Sequence, residues 1–271
     1  MRVSIGLLTL FMLPLASAAP VAEQLRADYA RVADALADSP FDRPLVIDSS
    51  ERASRLDGTV RALVDVPFDR FAALLSKAQP WCELLVLTPS IRQCRASGDG
   101  RQLQLRFARR FDQPLADTHA IDFDVRVEHH PGTLLDVALS AAQGPLGTSG
   151  YRVELQAIPL DGRSYLRIGY GYSYGFSARL AAQAYLATRG AGKVGFSRAG
   201  ADYIGGLRGS IERNAVRLYL AIEAYLATLH APARTRHERA LRHWLAAIEQ
   251  YPRQLAEPDP DAYFRAKREH P

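Results

Sequence analysis

Between Gln102 and Tyr174, in segment after segment, apolar residues recur at every second position, and this repeated period of two points to antiparallel β-sheet with one wet face. Leu103, Leu105 and Phe107 alternate with Gln102, Gln104 and Arg106, and Ile121, Phe123, Val125 and Val127 alternate with Asp122, Asp124, Arg126 and Glu128. Leu135, Val137 and Leu139 continue the pattern, then Tyr151, Val153, Leu155 and Ala157, and finally Leu166, Ile168, Tyr170, Tyr172 and Tyr174. Turn signals at Ser97–Gly100, Pro131-Gly132, Gly147–Gly150 and Asp161-Gly162 make the connections short hairpins. With Val60, Ala62, Val64 and Val66 ahead of Pro67, and a short strand over Ile91–Ala96, the expectation is about seven strands.

Helical spacing brackets the sheet. Val21, Leu25, Tyr29, Val32 and Leu36 predict a first helix over Val21–Ala37, with two short helices at Phe68–Leu75 and Pro80–Leu87. Ala178–Thr188 is another helix. The longest periodic segment, Gly206–Leu229, carries a stripe of Leu207, Ile211, Ala215, Leu218, Ile222, Tyr225 and Leu229. A glycine-bearing loop from Gly190 to Gly200 reads as a mobile connection, and a helix near Arg236–Gln250 precedes Pro252, Pro258 and Pro260, which should thin the chain into a tail.

A strand ending in Val64-Asp65-Val66-Pro67-Phe68, two short helices, about six more antiparallel strands and a long late helix resemble the START-like (SRPBCC, Bet v 1-like) helix-grip superfamily. Gly144-Pro145-Leu146-Gly147 and Glu212-Arg213-Asn214-Ala215 are similar to exported bacterial members of it. The resemblance implies an α+β helix-grip fold over residues 57–230, in which a curved sheet grips the long helix around an apolar cavity. It also implies a binding or carrier role for an apolar small molecule or lipid, or else a cyclase or hydrolase working in that cavity. An interior filled by its own side chains, in a protein acting through protein partners, is the third reading.

Strand parity turns Tyr170, Tyr172 and Tyr174 toward the apolar side, where a ring with one hydroxyl suits a mostly apolar ligand. Asn214 falls within the apolar stripe of the long helix, beside Leu218 and Ile222, so those six residues are the candidate ligand-binding set. Glu212 and Arg213 fall on other faces and are expected in surface or inter-helix ion pairs.

Catalytic and cofactor motifs are weak. Gly171-Tyr172-Ser173-Tyr174-Gly175 matches the serine-hydrolase elbow, with Asp202 and His230, His237 or His243 later in the chain, yet its hairpin-linked, alternating strands are not the parallel sheet that elbow needs. His237-Glu238 is followed by His243 at the wrong interval for a zinc helix, and Gly190-Ala191-Gly192-Lys193 lacks the other residues of a phosphate loop. No catalytic residue, metal site or cofactor is assigned.

Residues 1–19 read as a signal peptide. Arg2, the uncharged run Ile5–Leu15 and Ala16-Ser17-Ala18 give a core too short to span a bilayer, ending in small residues at cleavage spacing after Ala18 or Ala19. The expected location is therefore the periplasm or outside the cell. In an oxidising compartment the two cysteines, Cys82 and Cys94, pair as one disulfide, with two separate buried thiols as the alternative. Residues 20–56 form an N-terminal helix and linker, and 231–271 a C-terminal helical extension and tail. The net charge of +5 is interspersed with acids, which argues against nucleic acid. Arg234, Arg236, His237, Arg239, Arg242 and His243 form the one marked basic run, a solvated face or a site of peripheral contact with an anionic membrane.

Overall fold

The structure, a computed structural model, describes residues 18–188, 192–256 and 259–268. The signal-peptide segment up to residue 17 lies outside the described residues, as do Gly190 and Pro258. In chain order the elements are α1 (Ala18–Ala37), β1 (Leu45–Arg52), β2 (Arg55–Val64), α2 (Phe68–Leu75), α3 (Ala78–Leu85), β3 (Ile91–Ala96), β4 (Gln102–Phe107), β5 (His119–His130), β6 (Leu134–Gln143), β7 (Thr148–Leu160) and β8 (Arg163–Tyr174). There follow α4 (Phe176–Ala187), β9 (Arg198–Ala199), β10 (Asp202–Tyr203), α5 (Gly206–Ala227), α6 (Ala233–Glu249), α7 (Pro252–Leu255) and α8 (Pro260–Arg268).

Eight strands form one antiparallel sheet in the order β1-β2-β8-β7-β6-β5-β4-β3. Every neighbour but one is also a sequence neighbour; the exception, β2 beside β8, brings the first half of the chain against the last long strand. The alternation explains the two faces. Val60, Ala62, Leu166, Ile168, Leu155 and Val137 are buried on the side of α5, whereas Gln102 and Gln104 bond Asp124 and Asp122 across the wet face. With α2 and α3 between β2 and β3, and α5 against the inner face, this is the helix-grip architecture.

On the outer face α1 covers the region around β6, β7 and β8, burying Ala22, Leu25 and Leu36 against Leu134, Ile158 and Tyr165. Asp28, 2% exposed, holds it there by accepting hydrogen bonds from Arg31, Arg61 and the Tyr165 hydroxyl.

The sheet has one strand more than the alternation implied. Residues 45–52, read as linker, form β1; its inward side is apolar only at Leu45 and Ile47, while Ser49 and Glu51 meet polar partners, so no alternation marks it. Cys82 on α3 and Cys94 on β3 are disulfide-bonded, with Cα atoms 5.1 Å apart. The chain end also differs from expectation. Pro252 and Pro260 open α7 and α8 at their first turns, where a missing N–H costs nothing, and Tyr263 and Lys267 are buried. The Tyr263 hydroxyl donates to Leu87 O, and the Lys267 ammonium donates to Thr88 O and Ile91 O. Residues 260–268 are thus a docked helix, and no described helix is long and apolar enough to cross a membrane.

Candidate functional site

A cavity of about 1430 Å³ lies between the inner face of the sheet and α5, roomier than most small-molecule sites. Leu105, Phe107, Phe123, Leu139 and Val153 form its floor, Leu218 and Asn214 its roof. It reaches solvent past the segment Arg109–Pro114, and Asp259, just before α8, and Ala262 on α8 contribute to the rim. The C-terminal extension therefore belongs to the site.

Aromatic rings run in a band across four strands. Phe107 stacks near Phe123 at 6.2 Å, each lies within 6.4 Å of Tyr151, Tyr151 stacks on Tyr172 at 5.3 Å, and Tyr172 meets Tyr170 edge-on at 6.2 Å. The segment Gly144–Gly147 supports the centre of this band. A Cβ at Gly144 would lie 2.3 Å from the Tyr151 ring, and Thr148, whose hydroxyl donates to Pro145 O, accepts the Tyr151 hydroxyl at 2.8 Å.

Of the six residues expected to bind ligand, Tyr170, Asn214 and Leu218 line the cavity. Tyr172 is set back behind Tyr151. Tyr174 packs with Leu56, Ala178 and Ile211 in a separate small cluster and donates its hydroxyl to Glu51, and Ile222 is fully buried in the core away from the wall. Phe107, Phe123 and Tyr151 were not in that set. Each has the inward parity, but which of the many inward residues meet depends on the register, such as Leu103 opposite Phe123 and Leu155 opposite Ile168.

Burial pushes the Tyr170 phenol well above its ordinary value, with the neighbouring Tyr151 and Tyr172 adding to it. Tyr172 is pushed up to about 12, first by burial and then by Tyr151, Tyr174 and Glu51. Tyr151 is raised by burial against the opposing effect of its bond to Thr148. All three are therefore neutral at physiological pH, hydrogen-bonding groups and not bases.

Glu212 and Arg213, expected in surface or inter-helix ion pairs, are not on the surface. At 0% and 3% exposure both are buried: the Glu212 carboxylate accepts from Ser49 Oγ and from the N–H groups of Phe196 and Ser197, and Arg213 donates to Val194 O. The loop expected to be mobile is thereby tied to α5 over residues 194–197. Ile204 N donates to Ser197 O and Gly195 N to Ile204 O, closing the β9–β10 hairpin against it.

Ser173 sits on the outer parity of β8, opposite Arg55 and Ser149 in register. His230 faces Arg70 and His237 meets Lys267 O, so these two histidines of the elbow reading are engaged elsewhere, while His243 is exposed on α6. No hydrogen bond to the Ser173 side chain occurs among the described residues. We expect a fluorophosphonate probe to give no Ser173-dependent label; labelling lost in Ser173→Ala would overturn this reading. Among the described residues no group of three or more His, Cys, Asp or Glu side chains is placed to hold a metal ion.

No family profile matches the chain, and no curated protein matches it. Similar solved structures include norcoclaurine synthase from Thalictrum flavum, with 14% identity over 52% of this chain and 77% of that one at a TM-score of 0.34. Another is Ara h 8.0201, with 10% identity over 68% of this chain and 98% of that one at 0.37. A third, a protein from Arthrobacter aurescens, has 12% identity over 65% and 91% at 0.37. These overlaps are low. The helix-grip fold rests on the strand order and on α5 against the inner face.

Proposed function

We propose that the chain is an exported binding or carrier protein for an apolar, lipid-like molecule held under α5. The observation that carries this reading is the cavity itself: a large space floored by aliphatic and aromatic side chains, with its polar groups gathered on the rim around Arg109–Asp117 and Asp259 and on the wall at Lys193, Asn214 and Arg217. The disulfide supports export to an oxidising compartment. In this reading residues 1–19 are removed as a signal peptide, 20–56 lead into the binding domain of 57–230, and 231–271 close its rim. Arg234, Arg239, Arg242 and His243, exposed on α6, offer a face for peripheral contact with anionic lipid where cargo is exchanged.

Native mass spectrometry of the purified protein should find a co-purifying apolar molecule. Leu218→Trp, which sends bulk into the cavity, should abolish its retention and leave the melting temperature within a few degrees of wild type. Ile222→Trp, overpacking a filled region, should cost about 1–3 kcal/mol and leave retention intact while the protein is folded. An empty wild type, with Leu218→Trp and Ile222→Trp equally destabilised, would sink the carrier reading.

A further inference from the structure

Glu212, Arg213 and Asn214 are consecutive on α5, and the first two pin the backbone that precedes β9. A buried carboxylate is costly unless its lone pairs are taken, and Glu212 has Ser49 Oγ on one oxygen and the N–H groups of Phe196, at 2.7 Å, and Ser197, at 2.9 Å, on the other. The helix and loop backbones touch. A Cβ at Gly195 would lie 2.4 Å from Glu212 Oε2 and 2.9 Å from Gly209 Cα, and one at Gly209 would lie 2.7 Å from Ile204 O. Arg213 fixes the next residue back through Val194 O at 3.2 Å. The position of Lys193 is therefore set by α5, and its side chain is on the cavity wall with Asn214.

Tyr170 reaches the same region from the sheet. Its register partner is Gly58, against which Ile211 of α5 packs, and Asn214 is one turn further along the helix. Among the described residues the polar atoms of these three side chains make no hydrogen bond or ion pair. Lys193 is half-buried without a carboxylate at ion-pair distance, and neither the Asn214 amide nor the Tyr170 hydroxyl makes a hydrogen bond among the described residues. The cavity's carboxylates, Asp112, Asp117 and Asp259, are all on the exposed rim; Asp112 pairs with Arg110, and Asp259 accepts the Ala262 N–H.

We propose that the ligand carries an acidic head group of the carboxylate class, received by the Lys193 ammonium with the Asn214 amide and the Tyr170 hydroxyl. This rests on the apolar-ligand reading and adds the polar end of that ligand. The Lys193 ammonium supplies the charge and the two neutral donors orient a head group with two oxygens, with Arg217, one turn from Asn214 on α5, as a further cation on the same wall, while the apolar floor takes the chain behind it. Glu212 and Arg213 are positioning residues, acting through the loop that holds Lys193.

The test is calorimetric titration of the mature protein with dodecanoate, dodecan-1-ol and dodecyl phosphate. Wild type is expected to bind dodecanoate at least about tenfold tighter than the alcohol, the size of one hydrogen bond to a charged group. Lys193→Met should remove that preference without weakening alcohol binding, and Lys193→Arg should keep it. Equal binding of acid and alcohol by wild type, or an unchanged preference in folded Lys193→Met, overturns the head-group assignment and leaves the apolar-ligand reading standing. A phosphate preferred about tenfold over the carboxylate overturns the carboxylate class. Binding of none of the three is failure of the apolar-ligand reading itself. Should Lys193→Met not fold, the wild-type ratio of acid to alcohol decides.

Discussion

Removing the Cys82–Cys94 disulfide is expected to cost about 3 kcal/mol of folding stability, the chain-entropy value for a loop of this size. The bond joins α3 to β3, which is an edge strand of the sheet and has one neighbour, β4, to hold it. Edge strands open at lower free energy than central ones, so the loss should be local before it is global. β3 also carries Ile91 to the cavity wall and accepts the Lys267 bond from α8, so loosening it opens the site. The measurement is denaturant unfolding of the oxidised protein against the Cys82→Ser/Cys94→Ser variant, with ligand retention read in parallel. A midpoint shift worth less than about 0.5 kcal/mol would show that the loop is held by packing alone.

Asp28→Ala should destabilise the protein by about 2–3 kcal/mol, because it strips a buried carboxylate from Arg61 and the Tyr165 hydroxyl while leaving them covered. Arg61 keeps Asp48 as a second partner, which holds the cost toward the lower end of the range for broken buried pairs. The same site sets part of the acid sensitivity. Burial alone would raise the Asp28 pKa, but the hydrogen bonds from Arg61, Arg31 and Tyr165 outweigh it and hold the group below its usual carboxylate value. A carboxylate depressed in the folded state contributes stability that is complete above its unfolded pKa and is lost as pH falls through the folded one. Wild type should therefore lose this increment below about pH 4, whereas Asp28→Asn should show a flatter acid limb between about pH 4 and 2. An identical acid limb in both proteins would show that Asp28 is not ion-paired in solution.

The inner and outer faces of the sheet, the long helix and the pairing of Cys82 with Cys94 were all legible in the chain, because each depends on spacing or count. β1 was not. Its polar half is stabilised by Glu212 and Tyr174, which arrive from more than a hundred residues away, so no local pattern marks it. Pro252 and Pro260 illustrate the same limit: proline breaks a helix it interrupts and starts one it precedes, and only the packing of Leu255 and Tyr263 against the domain selects the second. Glu212 and Arg213 read as surface or inter-helix ion-pair residues since helical parity supposes one buried stripe. Here α5 is buried nearly all round, between the sheet on one side and α3, α4 and α6 on others.

For the site, periodicity alone determined that Tyr170, Asn214 and Leu218 face inward, since the periods of strand and helix place side chains on a face whatever else the chain does. Tertiary structure decided which inward residues border empty space and which are packed: Ile222 and Tyr174 obey the same parity and yet lie in filled regions. It also decided that Lys193 lines the same cavity as Asn214, the loop being held to α5 by backbone contacts of Gly195 and Gly209 that no sequence period encodes. The physical reason is that a face is a local property of one element, whereas a cavity is a gap between several, set by register, by helix placement and by the loops that cap it.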